Sequence, residues 1–337
     1  MNSLRFVIKN FLLWLYWHPF RTIIQNVPTL CAYKIAQAGG TFLFLITRHK
    51  RQSLENEYGY LFDKSDSTSM KLSVKKAFQN LCQTEIEMMR YTKMNSHNIC
   101  QYVTTPSFKN LNTALEAGKG VILLFAHFGA NQMVMPAIGY NGYKMSQMSA
   151  PATVWVEKLP DRRFSFMEKQ ALELRWKQEL SLPVTHINIF GSLKRAVTCL
   201  KSNGILGVAI DGGGGKERIQ TTIMNKPALL STGIVALAAR MGGAILPTFM
   251  IRTESGPCHL IILPSITHSG NTSQKYPVQR IIQKFSNQMT CVIREYPDHY
   301  LNFMALRSFM AQFGDIPLFL KEESTNEFNR TDNSHTA

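Results

Sequence analysis

GVILLFAHFGANQM, residues 120–133, carries an unbroken apolar run, Val121 to Ala126, into a histidine, a glycine and a glutamine. A run this short, opened by a glycine and lacking polar alternation, fits a strand buried on both faces, as in parallel sheets. In such sheets reactive groups gather where strands end and loops begin. His127 stands at that position. Gly129 allows close backbone approach. Gln132 lies five residues past the histidine, where a turn into a helix brings its side chain back toward the imidazole. A lone histidine after a strand is by default a structural one, so position alone does not make His127 a base.

Outward from this stretch the pattern repeats. Beyond it come a helix around Asn131 to Tyr140, a long helix within Val156 to Leu180, the strand VTHINIF, a helix near Ser192 to Leu200, and the strand ILGVAI. After the glycine-rich DGGGGKER come a helix across Leu229 to Ala239 and the strands AILPTFMI and CHLIIL. The alternation predicts an α/β domain, a mostly parallel sheet flanked by helices, over residues 61–320. Before it, DKSDSTSM (63–70) suits a polar loop, and Ser73 an N-cap for the helix carrying Ala77, Phe78, Leu81 and Ile86. The polar residues 321–337 predict a disordered tail.

Residues 1–60 are expected to form hydrophobic and amphipathic helices that associate with a membrane. MNSLRFVIKNFLLWLYWHPFRTII sets aromatics and leucines around Arg5, Lys9 and Arg21, the mark of an interfacial helix, with Pro19 expected to break or kink it. A second apolar piece runs about thirteen residues between Lys34 and Arg48, short of the roughly 18–20 of a clean span. The basic cluster Arg48, His49, Lys50, Arg51 would then face anionic headgroups on the cytoplasmic side. The alternative is an amphipathic helix packed on the domain. No small-residue cleavage site supports a secretory signal.

A net charge of +15 suits nucleic acid, an anionic membrane or an anionic substrate. Zinc-finger spacing, aromatic-basic single-strand motifs and compact basic runs are missing, which disfavours nucleic acid. The six cysteines form no CxxC pair and read as reduced core thiols. No HExxH or comparable set marks a metal site, and no GxSxG elbow marks a serine hydrolase; SVKK fits SxxK only in isolation. DGGGGKER is not a phosphate-binding P-loop, because Ile210 occupies the position of its first glycine and Glu217 comes after Lys216.

GKGVILLFAHFGANQ, together with LKSNGILGVAIDGGGGKERIQTTIMNKPALLSTGIVALAARMGGAILPTFMIR, resembles the bacterial lipid A late acyltransferases within the lysophospholipid acyltransferase superfamily. IREYPDHYLNFMALRSF looks like a degraded form of that family's C-terminal segment. The resemblance implies a membrane-associated acyltransferase on the cytoplasmic face. Its substrates would be a fatty acyl thioester, carried by acyl carrier protein or coenzyme A, and a hydroxyl or an amine of a lipid or glycolipid, a lipid A-type precursor above all; no cofactor is implied. The family signature is a histidine, four residues, then an acid. His127 matches the base; Gln132 departs from the acid. By the same resemblance Asp211 belongs to the acceptor-binding part of the site and Arg175, in LELRWKQEL, contacts an acceptor phosphate, unless it belongs to a solvated face with Glu173, Lys177 and Glu179.

Gly129 and Asn131 complete the substrate side of the turn, with the Gly129 N–H expected to face an oxyanion. Lys216 and Arg218 suit a phosphate, carboxylate or phosphopantetheine contact, or else are solvated loop cations. Glutamine accepts the imidazole N–H and selects a tautomer, but it does not stabilise an imidazolium as a carboxylate does. Weakened base catalysis is therefore expected unless a carboxylate from elsewhere compensates. The rival reading is a catalytically impaired lipid-binding protein that kept the fold.

Overall fold

The computed structural model describes residues 3–62, 66–105, 107–158, 162–215, 217–253, 256–267 and 278–321. The predicted polar tail from residue 322 onward lies outside the described residues, as do residues 63–65 of the loop expected at 63–70; its last four residues, Ser67 to Met70, are helical instead.

Helix α1 (Ser3–Leu15) passes through a π-helical turn at Tyr16–Phe20 into α2 (Arg21–Asn26). Pro19 lies inside that turn: a residue with no N–H is accommodated by widening the helix there instead of ending it. Pro28 precedes α3 (Thr29–Ile46), which leads into α4 (Arg48–Leu61) and α5 (Ser67–Met89). Helix α3 starts well before the apolar run between Lys34 and Arg48. Among the described residues it is the one helix long and apolar enough to cross a membrane, with a mean hydropathy of 1.3 and 28% of it buried. That burial comes largely from α5, against which Gly40 packs so closely that a Cβ there would overlap the Gln79 Cα.

Helix α5 begins earlier than the Ser73 cap implies. Asp66 caps it, its carboxylate accepting the Thr68 and Ser69 N–H groups at 3.0 and 3.2 Å, and Ser73 is buried in the helix interior. An aspartate N-cap offers a charged acceptor to the helix dipole, so it prevails over the serine downstream.

The α/β part contains β1 (Val103–Thr104), α6 (Lys109–Glu116), β2 (Val121–Phe125), α7 (Val134–Gly139), β3 (Met145–Ser149), α8 (Val154–Lys158), α9 (Phe166–Glu179), β4 (Thr185–Asn188), α10 (Lys194–Lys201) and β5 (Ile205–Ala209). It continues with β6 (Arg218–Ile223), β7 (Lys226–Ser231), α11 (Gly233–Met241), β8 (Ala244–Ile251), β9 (Cys258–Ile262), α12 (Val278–Glu295) and α13 (Leu301–Ala311). Seven strands form one sheet in the order β1-β9-β8-β2-β5-β3-β4, with every neighbouring pair parallel except β8–β9. The mostly parallel α/β architecture is the predicted one.

Strand β2 lies between β8 and β5, where the strand order turns back on itself. Its alternation divides the core. Val121, Leu123 and Phe125 pack with Met89, Val134 and Ile138 on one face, and Ile122 and Leu124 with Leu200, Val235 and Phe285 on the other. All five β2 side chains are at most 3% exposed. At roughly 1.5–3 kcal/mol for each large buried side chain, this strand is a fixed platform for the turn at its C-terminal end.

One predicted helix starts too early. Leu229 to Ser231 belong to β7, which pairs antiparallel with β6, and the helix begins only at Gly233. The turn between them, Met224–Asn225, has positive φ at both residues (54° and 60°), the geometry of a tight primed hairpin turn. Without an Asn-Gly or Asp-Gly pair the hairpin carries little sequence signal.

Candidate active site

Phe125 pairs with Ala209 at the C-terminal ends of β2 and β5, and the Ile210 N–H donates to the Phe125 carbonyl at 3.0 Å. Two residues beyond that matched pair stand His127 and Asp211. The parallel register therefore brings them together: His127 Nδ1 lies 2.7 Å from Asp211 Oδ1, and the His127 backbone N–H donates to Oδ2 at 2.9 Å. Asp211 is fully buried, whereas the His127 side chain is 39% exposed. A buried carboxylate needs donors, and this one also receives the Tyr300 hydroxyl on Oδ2 at 2.9 Å. Burial first, and the Asp211 charge next, push the Tyr300 phenol well above its usual range, so Tyr300 keeps its proton and donates.

This geometry assigns the imidazole tautomer. With the Nδ1–H directed at Asp211, Nε2 carries the lone pair, and no hydrogen bond occupies it among the described residues. The ring lies flat on Phe303, centroids 4.2 Å apart and planes 7° off parallel, so its orientation is fixed from two sides. A half-exposed imidazole held by a buried carboxylate is the arrangement of a general base.

The turn after β2 is held by segments far along the chain. Gly129, at φ 60°, donates its N–H to the His299 carbonyl at 3.0 Å, and the Ala130 N–H donates to the Met250 carbonyl at 3.0 Å. A Cβ on Gly129 would overlap the Met250 carbonyl oxygen. Its glycine is thus demanded by close approach to β8, and its N–H is committed within the protein instead of facing an oxyanion. The His299 ring is wedged in the same seam: Nε2 accepts the Arg252 N–H at 2.8 Å and Nδ1 donates to Asp298 at 2.9 Å.

The residues expected at the site separate into groups. Asp211 does not face an acceptor; it is buried against His127. Gln132 sits in the 3-10 turn Asn131–Met133 together with the partly exposed Asn131, and its amide oxygen accepts from Tyr91 at 3.4 Å, so the residue in the acid's sequence position does not hold the imidazole. Arg175 joins a different cluster, 3.3 Å from Glu85 and 3.9 Å from Glu179, with Tyr16 donating to Glu85 at 2.7 Å; two carboxylates already counter its charge. Lys216 lies outside the described residues. Arg218 opens β6 with its Nη2 3.4 Å from the Gly212 carbonyl.

Residues 3–306 match the family described as bacterial lipid A biosynthesis acyltransferase. The chain belongs to that family. No curated protein matches it. The acyltransferase therefore shares its chemistry class with enzymes that acylate lipid A-type acceptors. Tyr300, Phe303 and His299 of the acyltransferase were not singled out in its sequence; the aromatic YPDHYLNF was the available signal.

Two expectations arise for this acyltransferase. Because Asp211 already partners His127, Gln132→Glu is expected to change kcat by less than about tenfold, the upper scale of one neutral hydrogen bond. A gain of tenfold or more in steady-state transfer would instead give position 132 the orienting role. The second concerns Glu179, whose carboxyl is pushed up to about 7 mainly by burial, with Arg175 opposing and Glu85 adding to the rise. The folded state then holds this proton more tightly than the unfolded chain does. The stabilisation is complete below the ordinary glutamate range and is lost as pH rises toward and through 7. Glu179→Gln is expected to flatten that decline and to leave the protein more stable at pH 8 by up to about 3 kcal/mol, read from urea unfolding at pH 5 and 8.

Proposed function

We propose that the protein is a membrane-associated acyltransferase that moves a fatty acyl chain from a thioester to a hydroxyl of a lipid A-type glycolipid at the cytoplasmic face of the membrane. The observation that carries the reading is the 2.7 Å contact between half-exposed His127 and fully buried Asp211. His127 Nε2 takes the proton of the acceptor hydroxyl as its oxygen attacks the thioester carbonyl. The tetrahedral intermediate then collapses with cleavage of the C–S bond, and the imidazolium returns the proton to the departing thiolate. Asp211 selects the reactive tautomer and stabilises the imidazolium. The donor is a thioester of acyl carrier protein or coenzyme A, the former favoured by the lipid A branch of the family.

Membrane attachment is supported by apolar side chains left in solvent on α1 (Leu4, Val7, Phe11, Leu12) and α3 (Phe42, Leu45, Ile46). Lys9 and Asn10 tie α1 to the body through Glu168 at 2.6 Å and Ser165 at 2.6 Å, so its apolar residues are presented at a fixed angle. Apolar burial joined to a net charge of +15 gives two signals for an anionic lipid surface. The alternative of a lipid binder without activity draws on Gln132, and Asp211 supplies the carboxylate that Gln132 lacks.

The test is transfer from a labelled long-chain acyl thioester to a membrane-lipid extract, with wild type and His127→Ala side by side in detergent. Transfer that disappears with His127 is the expected result, and the labelled product names the acceptor. Equal transfer by both proteins, or none by a folded wild type with either thioester, would sink the proposal.

A further inference from the structure

Arg218 is half-buried just past the glycine-rich loop, and its guanidinium is poorly matched. Its one hydrogen bond, to the Gly212 carbonyl, is long at 3.4 Å, while Nε and Nη1 are enclosed with no acceptor among the described residues. Beside it stands a second guanidinium, Arg307 from α13, 5% exposed, whose Nη1 donates to Asp315 at 2.6 Å and whose Nη2 donates to the Ile316 carbonyl. Burial and then the charge of Arg307 push the Arg218 pKa down, and Asp315 offsets this only in part. Two cations share one carboxylate. A partly desolvated cation with two enclosed, unmatched nitrogens is costly, so the two arginines leave room for a second anion beside Asp315.

The loop between these arginines and His127 has no side chains from Gly212 to Gly215. A Cβ at Gly213 would come within 2.6 Å of Arg307 Nη1, and one at Gly212 within 3.5 Å of His127 Cε1. Gly213 and Gly215 are exposed, which leaves the approach to the arginines open on the loop side. An oxyanion coming over this loop meets guanidinium forks on one flank of the base.

We propose that Arg218, backed by Arg307, is the subsite for a phosphate ester of one of the two substrates, the loop Gly212–Gly215 passing between that phosphate and His127. The choice of substrate rests on the acyl-transfer reading above; the affinity for phosphate does not. The same chemistry is offered by the phosphodiester of a thioester donor and by a phosphorylated sugar of the acceptor.

The experiment has two arms. In the first, thermal unfolding of wild type, Arg218→Gln and Arg218→Lys is monitored in inorganic phosphate and in chloride at matched ionic strength. Phosphate is expected to raise the Tm of wild type, to do so less for Arg218→Lys, which keeps the charge but loses the fork, and to have no specific effect on Arg218→Gln. A phosphate shift that is absent, or equal in all three proteins, overturns the proposal.

In the second arm kcat/KM is compared for donors with and without phosphate, an acyl-coenzyme A against an acyl N-acetylcysteamine thioester, and for phosphorylated against dephosphorylated acceptors. Arg218→Gln is expected to reduce the wild-type preference for the phosphorylated form of one substrate by roughly 10- to 100-fold, on the scale of a charge-assisted contact. The substrate whose preference collapses is the one that places its phosphate there; preferences unchanged for both overturn the proposal. Should wild type transfer no acyl group, the catalytic reading fails while the phosphate arm still decides this one.

Discussion

Asp211→Asn is expected to lower kcat of acyl transfer by about 10³- to 10⁴-fold with little change in KM, the scale seen when the carboxylate behind a catalytic histidine becomes an amide. The reason is directional. Asp211 receives three donors, the His127 Nδ1–H, the His127 backbone N–H and the Tyr300 hydroxyl, at 2.7, 2.9 and 2.9 Å. An amide brings two N–H groups of its own into this acceptor-only position. With the amide N–H turned toward Nδ1, the imidazole proton moves to Nε2, the atom that must accept from the substrate. The stabilisation of a forming imidazolium is lost as well, because the amide carries no charge. Steady-state kinetics across the pH range, with the fold checked by circular dichroism, measure the effect. A loss below about tenfold would remove Asp211 from the mechanism, since a mere neutral hydrogen bond is worth no more than that.

The second large effect is on stability. Glu87 and Arg252 are 2% and 4% exposed and meet through two contacts, 2.5 and 2.9 Å, with Tyr33 donating to Glu87 at 3.0 Å and Arg252 donating to Thr84 at 2.7 Å. Burial opposes the arginine's charge and Glu87 outweighs it, so the guanidinium sits above its ordinary range. Glu87→Ala strands a buried cation and is expected to cost about 3–5 kcal/mol of unfolding free energy, a large share of the roughly 5–15 kcal/mol typical of a domain. Denaturant unfolding reads the loss. Adding Arg252→Met to Glu87→Ala should restore much of it, because the cost lies in the unpaired charge more than in the missing contact. A Glu87→Ala protein within about 1 kcal/mol of wild type would mean that water or another acceptor reaches Arg252. The pair also bears on the site: the Arg252 N–H anchors the His299 ring, and the next residue is the Tyr300 that donates to Asp211.

The α/β layout was legible because periodicity reports burial, and strands such as Val121–Phe125 are buried on both faces. His127 was legible for the same reason, as the first polar residue off a buried strand. The pairing of His127 with Asp211 was not, since it depends on which strand lies beside β2, and residues 84 positions apart become neighbours only through parallel register. Local spacing, which is what a linear reading measures, points to Gln132 for the orienting group. The glycine at 129 signals close approach in the sequence, but the partner that demands it, the Met250 carbonyl, lies on another strand. The roles of Tyr300 and Phe303 depend on how α13 docks, which no local pattern specifies. Arg175 shows the opposite failure: its helix was placed correctly, and the carboxylates that occupy it, Glu85 above all, come from α5 as well as from its own helix.

The placement of His127 and Asp211 on neighbouring strands bears on how the chain tolerates insertions. When the two groups share one turn, a single inserted residue separates them. With each at the end of its own strand, the intervening chain can lengthen, shorten or acquire a new helix on the far edge of the sheet without altering their separation, provided β2 and β5 keep their register.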